Sequence, residues 1–222
     1  MTRGINETQE EERNDATNHN TESREREGDV TTAAPVRTLR LGALFETIDV
    51  SLPARTSEIE IRQVACDSRK VQPRTLFFAL RGAKAEGTAF VRDAVSRGAI
   101  AIASEEAAPA TLPASVAWIR IPEARKALAV TAANFFDHPA KALQLVAVTG
   151  TNGKTTTTSL VDAIIKASGA RTGLFGTIAY HTPLGNYPAP NTTPESVDLQ
   201  GFLAEIRDAG GRYLGQGCIG WS

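Results

Sequence analysis

Residues 145–158 read LVAVTGTNGKTTTT, and the fold is decided there. Leu145, Val146, Ala147 and Val148 form a continuous apolar run, as expected of a strand buried on both faces in a parallel sheet. Gly150 then tolerates backbone angles that a side chain forbids, and Gly153 lets the main chain approach a ligand closely. From Lys154 onward Leu160, Val161, Ile164 and Ile165 recur at helical spacing. A strand, a glycine loop and a helix start in this order aim free N–H groups and the positive helix end at one point, where a polyphosphate fits. Lys154 would reach the outer phosphates, and the Thr155 hydroxyl would ligate the magnesium ion that accompanies a nucleotide.

The match to the strict G-x-x-x-x-G-K-[ST] pattern is imperfect. Its first glycine position holds Val148, and Gly150 comes two residues later. A ligand-free turn would explain the glycines, but Lys-Thr-Thr-Thr-Thr is a poor start for a purely structural helix.

The chain has 222 residues, 41% hydrophobic and 22% charged, which is ordinary for one large or two small soluble domains. Twenty-four basic residues against 25 acidic ones give a formal net charge of −1, which argues against a nucleic-acid surface or a membrane-steering patch. Two distant cysteines, Cys66 and Cys218, support neither a disulfide framework nor a zinc site. His19, His138 and His181 lack metal-ligand spacing and read as surface or capping residues. With no apolar leader and no run approaching about 18 apolar residues, the expected setting is the cytoplasm.

Residues 1–35 are polar and charged, too poor in bulky apolar residues to offset the entropy of ordering, and read as a disordered tail. An α/β pattern begins at Arg37. Leu39, Leu41, Leu44, Phe45 and Ile48 lie at helical spacings, whereas Ile59, Ile61 and Val64 alternate as in a strand. TLFFAL (75–80), AIAIA (99–103) and residues 116–121 read as strands, residues 89–97 as a helix stopped by Gly98, and the segment after Pro122 as a helix ending before Pro139. The pattern resets near residue 140. This divides a small N-terminal α/β substrate domain (36–140) from a P-loop-type parallel-sheet domain starting at 141. Beyond the loop, GLFGTIAY (173–180) reads as a second parallel strand and residues 183–190 as a surface loop. NTTPE (191–195) then reads as a cap, with Thr193 at N-cap and Pro194 in the first helical position.

CDSRKV (66–71), LFFALRGAKAEG (76–87), VTGTNGKTTTT (148–158), GLFGTIAY and NTTPES (191–196) together closely resemble the Mur ligase family over about residues 37–213. NTTPES after GTIAY favours the branch that adds the third peptide residue over the sibling that adds the terminal dipeptide. The resemblance implies ATP-dependent amide synthesis in peptidoglycan precursor formation. The γ-phosphate moves to the D-glutamyl carboxylate of UDP-MurNAc-L-Ala-D-Glu, and a diamino acid, diaminopimelate or lysine, attacks the acyl phosphate. It also implies that Gly150, Thr151, Asn152, Gly153, Lys154, Thr155 and Thr156 hold the ATP phosphates. Lys154 then stabilises charge on the transferring group, and Thr155 binds Mg2+. Ser68 would contact the UDP-sugar, with Cys66 and the loop at 83–85 near the uridine, and Asn191, Thr192 and Thr193 would hold the muramoyl-dipeptide end. Without the resemblance, Asp67-Ser68-Arg69 reads as a strand-end turn.

After Tyr213 the family continues with an apolar strand ending in a metal-binding glutamate, then Ser-Ser-His and a lysine carbamylated in many members. Here residues 214–222 read LGQGCIGWS, a tail outside the family pattern. The expectation is an incomplete ATPase domain over 141–213, soft because apolar faces lie bare, in a polypeptide that cannot complete the reaction by itself. A shifted reading frame is a further expectation: Gly220-Trp221-Ser222 encoded GGA-TGG-AGN reads Met-Glu one register over. Two other classes stay open. A phosphate-loop GTPase or small kinase explains neither Ser68 nor NTTPES and lacks an N-K-x-D signature; a non-catalytic ATP- or UDP-sugar-binding fragment explains the ending.

Overall fold

Among the described residues, two larger sheets, a two-stranded ribbon and a helix that packs on both larger sheets organise the protein. A computed structural model describes residues 37–81, 87–191 and 193–218; the tail at 1–35, the loop at 83–85, Thr192 and residues 219–222 lie outside the described residues. The elements run β1 (Leu39–Arg40), α1 (Leu41–Leu44), α2 (Ala54–Ser57), β2 (Glu60–Ile61), β3 (Gln63–Ala65), β4 (Thr75–Phe78), α3 (Val91–Ser96), β5 (Ala99–Ser104), β6 (Ala117–Arg120) and α4 (Ala124–Phe135). They continue with β7 (Gln144–Thr149), α5 (Lys154–Ala167), β8 (Thr172–Phe175), β9 (Ala179–Thr182), β10 (Gly185–Pro188), α6 (Ser196–Asp208) and β11 (Tyr213–Cys218).

The first sheet, β3-β4-β5-β6, is parallel throughout. Its strands are apolar without alternation because both faces are covered. Leu76, Phe78, Ala101, Ala103 and Ile119 face a core completed by Leu41, Leu44 and, from α4, Leu128 and Phe135. Phe77, Ala79 and Ile102 point the other way, onto Val91 and Ala94 of α3. The period-2 alternation of side chains along a strand sorts them in this way. The helical spacing at 39–48 yields only the single turn α1, since residues 39–40 pair with β2 as a short antiparallel strand.

The second sheet has the order β10-β9-β8-β11-β7, with β7, β11 and β8 parallel. Three expectations change here. Residues 173–180 do not form one strand: β8 ends at Phe175, the chain turns through Gly176-Thr177-Ile178, and β9 returns antiparallel. The surface loop expected at 183–190 is largely β10, an edge strand in which Pro188 costs no ladder bond on its open side. Residues 213–218, expected to fall outside the domain from Leu214, form the interior strand β11 between β8 and β7, so the sheet holds three parallel strands, not two. Glycine-rich and short of large apolar residues, this strand gives little hydrophobic signal. Its place is set by pairing on both sides.

Strand β7 is also not buried on both faces. Leu145 is 51% exposed, and among the described residues β7 pairs only with β11, at the sheet edge. On α5, Thr158 and Asp162 are buried, whereas Leu160 and Ile164 are 60% and 70% exposed. At the other end of the sheet, Phe175, Tyr180, Tyr187 and Phe202 form an aromatic cluster with ring centroids 5.1–5.5 Å apart, fixing the β9–β10 hairpin on α6.

Helix α6 belongs to both halves. Phe202 serves the second sheet, while Ala204 enters the first sheet's core and Val197 packs on it. At its C-terminal end the Arg207 guanidinium donates to the carbonyls of Phe136 (3.1 Å) and Asp137 (3.2 Å).

Candidate active site

Because β7, β11 and β8 run parallel, their C-terminal ends open on one edge of the sheet, where ligands of open α/β sheets bind. The glycine loop leaves β7 at that edge. Gly150 has φ +147° and Gly153 φ +80°, left-handed values that strain a side-chain-bearing residue, and Gly153 occupies the N-cap of α5. Thr157 N–H is the first amide of α5 to reach a carbonyl behind it, that of Gly153, at 2.9 Å. The amides of Lys154, Thr155 and Thr156 precede it in the first turn, where helix geometry supplies no acceptor.

The Lys154 ammonium folds over the loop, donating to the Gly150 carbonyl at 2.5 Å and to the Thr151 carbonyl at 3.3 Å. Thr155 and Thr156 are exposed. Thr158 is buried and turns its hydroxyl back onto the carbonyls of Lys154 (2.9 Å) and Thr155 (3.1 Å), so it serves the helix rather than a ligand. A Cβ added at Gly217 would stand 3.6 Å from the Lys154 Cβ, which places the first turn of α5 over the end of β11.

On the other side of β11, two strand spacings or roughly 10 Å from β7, β8 ends in the turn at 176–178. Residue 191 is anchored beside this turn: the Tyr180 hydroxyl donates to the Asn191 carbonyl, and Ala189 N–H donates to the Ile178 carbonyl at 3.4 Å. Asn191 and Thr193 are exposed. Thr193 does not cap α6. The helix starts at Ser196 with Glu195 at N-cap, because residues 193–195 remain non-helical and Pro194 is buried ahead of the first turn.

The third part comes from the first sheet. Beyond β3, Asp67 accepts from the Arg69 amide at 3.0 Å and starts a 3-10 turn over Ser68–Lys70. This is the side-chain-held turn that Asp-Ser chemistry leads one to expect. The Arg69 guanidinium hydrogen-bonds Asp67 and holds its carboxyl below the usual range. Ser68 is only 6% exposed, and its hydroxyl, with Arg97, keeps the Asp93 carboxyl ionised to lower pH than usual. Cys66 is half-buried, and burial pushes its thiol up to about 12, helped by the negative charges of Glu195 and Asp198.

The turn and the start of α6 are joined directly. The Lys70 ammonium donates to both carboxylate oxygens of Asp198, at 3.0 and 3.1 Å, and Arg125 of α4 lies 3.6 Å from Glu195. Thus the turn carrying Cys66 and Ser68 is tied to the first turn of α6, which directly follows the segment carrying Asn191 and Thr193, and that segment lies by the turn after β8 in the sheet whose β7 delivers Gly150, Thr151, Asn152, Gly153, Lys154, Thr155 and Thr156. Sequence reasoning passed over Lys70, Asp93 and Asp198. Lys70 lies within CDSRKV, but its partner is 128 residues away, and no local spacing signals that. Among the described residues there is no cluster of three His, Cys, Asp or Glu side chains suited to a metal ion. An oxygen-rich magnesium site built on one threonine hydroxyl and phosphate oxygens needs no such cluster, and the exposed Thr155 fits that donor set. No helix among the described residues is long and apolar enough to cross a membrane.

Residues 60–136 match the family model described as the Mur ligase family catalytic domain, and residues 148–214 match the Mur ligase middle domain, together more than half of the chain. The chain belongs to the Mur ligase family. This Mur ligase chain is 42% identical over 178 residues to the UDP-N-acetylmuramoyl-L-alanyl-D-glutamate–2,6-diaminopimelate ligase of Solibacter usitatus, with 79% of this chain and 36% of that protein covered. It is 40% identical over 172 residues to the ligase of the same name from Geobacter metallireducens, covering 78% and 33%. A solved structure of a ligase of that name superposes with a TM-score of 0.63 at 26% identity, over 82% of this chain and 36% of that one. A D-alanyl-D-alanyl-adding ligase from Acinetobacter baumannii shares the fold, with a TM-score of 0.55 at 22% identity. The chain spans about a third of the length of the curated relatives it matches.

Proposed function

We propose that this chain carries the nucleotide-sugar-binding and ATP-phosphate-binding parts of a ligase that joins a diamino acid to UDP-MurNAc-L-Ala-D-Glu. Diaminopimelate is the favoured diamino acid, because it stands in the names of the relatives. Residues 36–140 form the first part and residues from 141 the second, a division supported by the two family matches, which fall on either side of residue 140. The observation that carries the reading is the loop at 150–156. Its left-handed glycines and free first-turn amides stand at the C-terminal sheet edge, beside the segment at 191–193.

The chemistry follows from these groups. Lys154 is held by two neutral carbonyls, and an anionic phosphate oxygen is a stronger, charge-assisted acceptor for the same ammonium. The amides of residues 154–156 orient the phosphates, and Thr155 would hold Mg2+. When bound there, the ion would neutralise negative charge on the phosphates. In the ligase reaction a D-glutamyl carboxylate oxygen takes the γ-phosphoryl group and ADP leaves; the amine then attacks the acyl carbon, expels phosphate and loses a proton.

Calorimetric titration of the chain with ATP and Mg2+, and separately with UDP-MurNAc-L-Ala-D-Glu, tests the proposal. Saturable binding of both is expected, and failure of both to bind refutes it. A second reading, that these residues hold both ligands without turnover, is favoured by the matched share of the relatives, about a third of their length. A phosphate-release assay with both ligands present decides between the two.

A further inference from the structure

The two halves of the site are fastened by few polar contacts, and one stands apart. Lys70 belongs to the turn that presents Ser68, and Asp198 belongs to the first turn of α6, directly after the segment at 191–195. Both side chains are about a third exposed, the contact is two-pronged, and the Cys66 thiol sits among Glu195, Asp198, Lys70 and Asp67. Among the described residues, the other polar ties of α6 to the first half, Arg125 to Glu195 and Arg207 to the carbonyls of Phe136 and Asp137, do not touch the Ser68 turn.

We propose that Lys70 and Asp198 are a positioning pair that fixes the spacing between the Ser68 turn and the Asn191–Thr193 segment, so that one long ligand engages both at once. This deepens the function proposed above and rests on it. A ligand bridging two subsites gains from the second contact only when the subsites are held at the span of the ligand, because that spacing sets the effective concentration of the second contact. UDP alone would meet only the first half, and ATP only the glycine loop. Neither is sensitive to the spacing between the Ser68 turn and α6. The intact UDP-muramoyl dipeptide is.

The experiment uses four variants of the full chain: Lys70→Met, which keeps the stem and removes the charge, Asp198→Asn, the double variant, and Lys70→Arg, which keeps a donor for the carboxylate. Dissociation constants are measured for UDP-MurNAc-L-Ala-D-Glu, for UDP and for ATP with Mg2+. The expected result is a three- to fivefold loss for the intact ligand in each single charge-removing variant, no further loss in the double variant, and near wild-type binding in Lys70→Arg. UDP and ATP affinities stay within twofold throughout. Equal losses for all three ligands, additive losses in the double variant or unchanged binding of the intact ligand overturn the positioning role. Failure of the wild-type chain to bind the nucleotide sugar and ATP instead overturns the function on which it rests.

Discussion

Replacing Lys154 by alanine tests the glycine loop most directly. Among the described residues the ammonium hydrogen-bonds the carbonyls of Gly150 and Thr151, and both contacts are exposed, so their loss costs no more than about 1 kcal/mol of folding stability. Against a phosphate the same group makes a charged hydrogen bond worth about 1.5–3 kcal/mol. At about 1.4 kcal/mol per tenfold in affinity, ATP binding should weaken by roughly 10- to 150-fold. Calorimetric titration with ATP and Mg2+ reads the affinity, and a urea melt of the same sample reads the fold. Lys154→Arg should recover only part of the loss, since a planar guanidinium does not replace a compact ammonium inside a tight loop. A Lys154→Ala chain that keeps its urea midpoint and binds ATP within threefold of wild type would refute the phosphate role.

Four further outcomes follow from the structure. Gly153→Ala should destabilise the chain by about 1–2 kcal/mol in urea through backbone strain alone, because φ is +80° and nothing lies within 4 Å of the new Cβ; an unchanged midpoint contradicts the left-handed cap. Asp162 is 7% exposed, accepts from the Thr172 hydroxyl at 2.5 Å and pairs with Lys166 at 2.8 Å, so Asp162→Ala should cost about 1–3 kcal/mol by orphaning buried Thr172, read from the same melt. Burial raises the Cys66 thiol to about 12 from 9.0, which leaves about one thiolate in ten thousand at pH 8. Iodoacetamide should therefore label Cys66 far more slowly than a free thiol, as peptide mass spectrometry reports, and the stability held by the neutral thiol, complete below pH 9, should fade as pH rises towards 12. Leu160→Lys with Ile164→Lys should lower light scattering at high protein concentration with little change in the melt, since both side chains already face outward.

The first sheet was legible because its strands are apolar runs closed by clear stops: TLFF and AIAIA emerged as β4 and β5, and Gly98 ends its helix with φ +108°. The glycine loop was equally legible, since left-handed positions are written in glycine. Legibility failed where pairing, not local pattern, decides. The β9–β10 hairpin contains Pro188 and a turn that imitates a loop, and it is held by Tyr180 and Tyr187 on Phe202, a contact across sequence. β11 is nearly featureless alone and becomes interior only through two neighbours. The apolar run of β7 reads as a buried strand, and its apolar character is real, but its register partner covers one side only. In the site, the residue types of the loop announced themselves by spacing, while Lys70 and Asp198 were hidden by the 128 residues between them.

The strand order of the second sheet bears on how the protein matures during synthesis. Among the described residues, the strand that delivers the glycine loop has its one ladder with a segment emerging from the ribosome about seventy residues later. Throughout that interval the first sheet can consolidate while the loop dangles without a frame. The loop therefore gains its frame only when β11 slots between its two neighbours, and under the proposed function a nascent chain halted before residue 213 should be protease-resistant in its first half yet should not bind ATP.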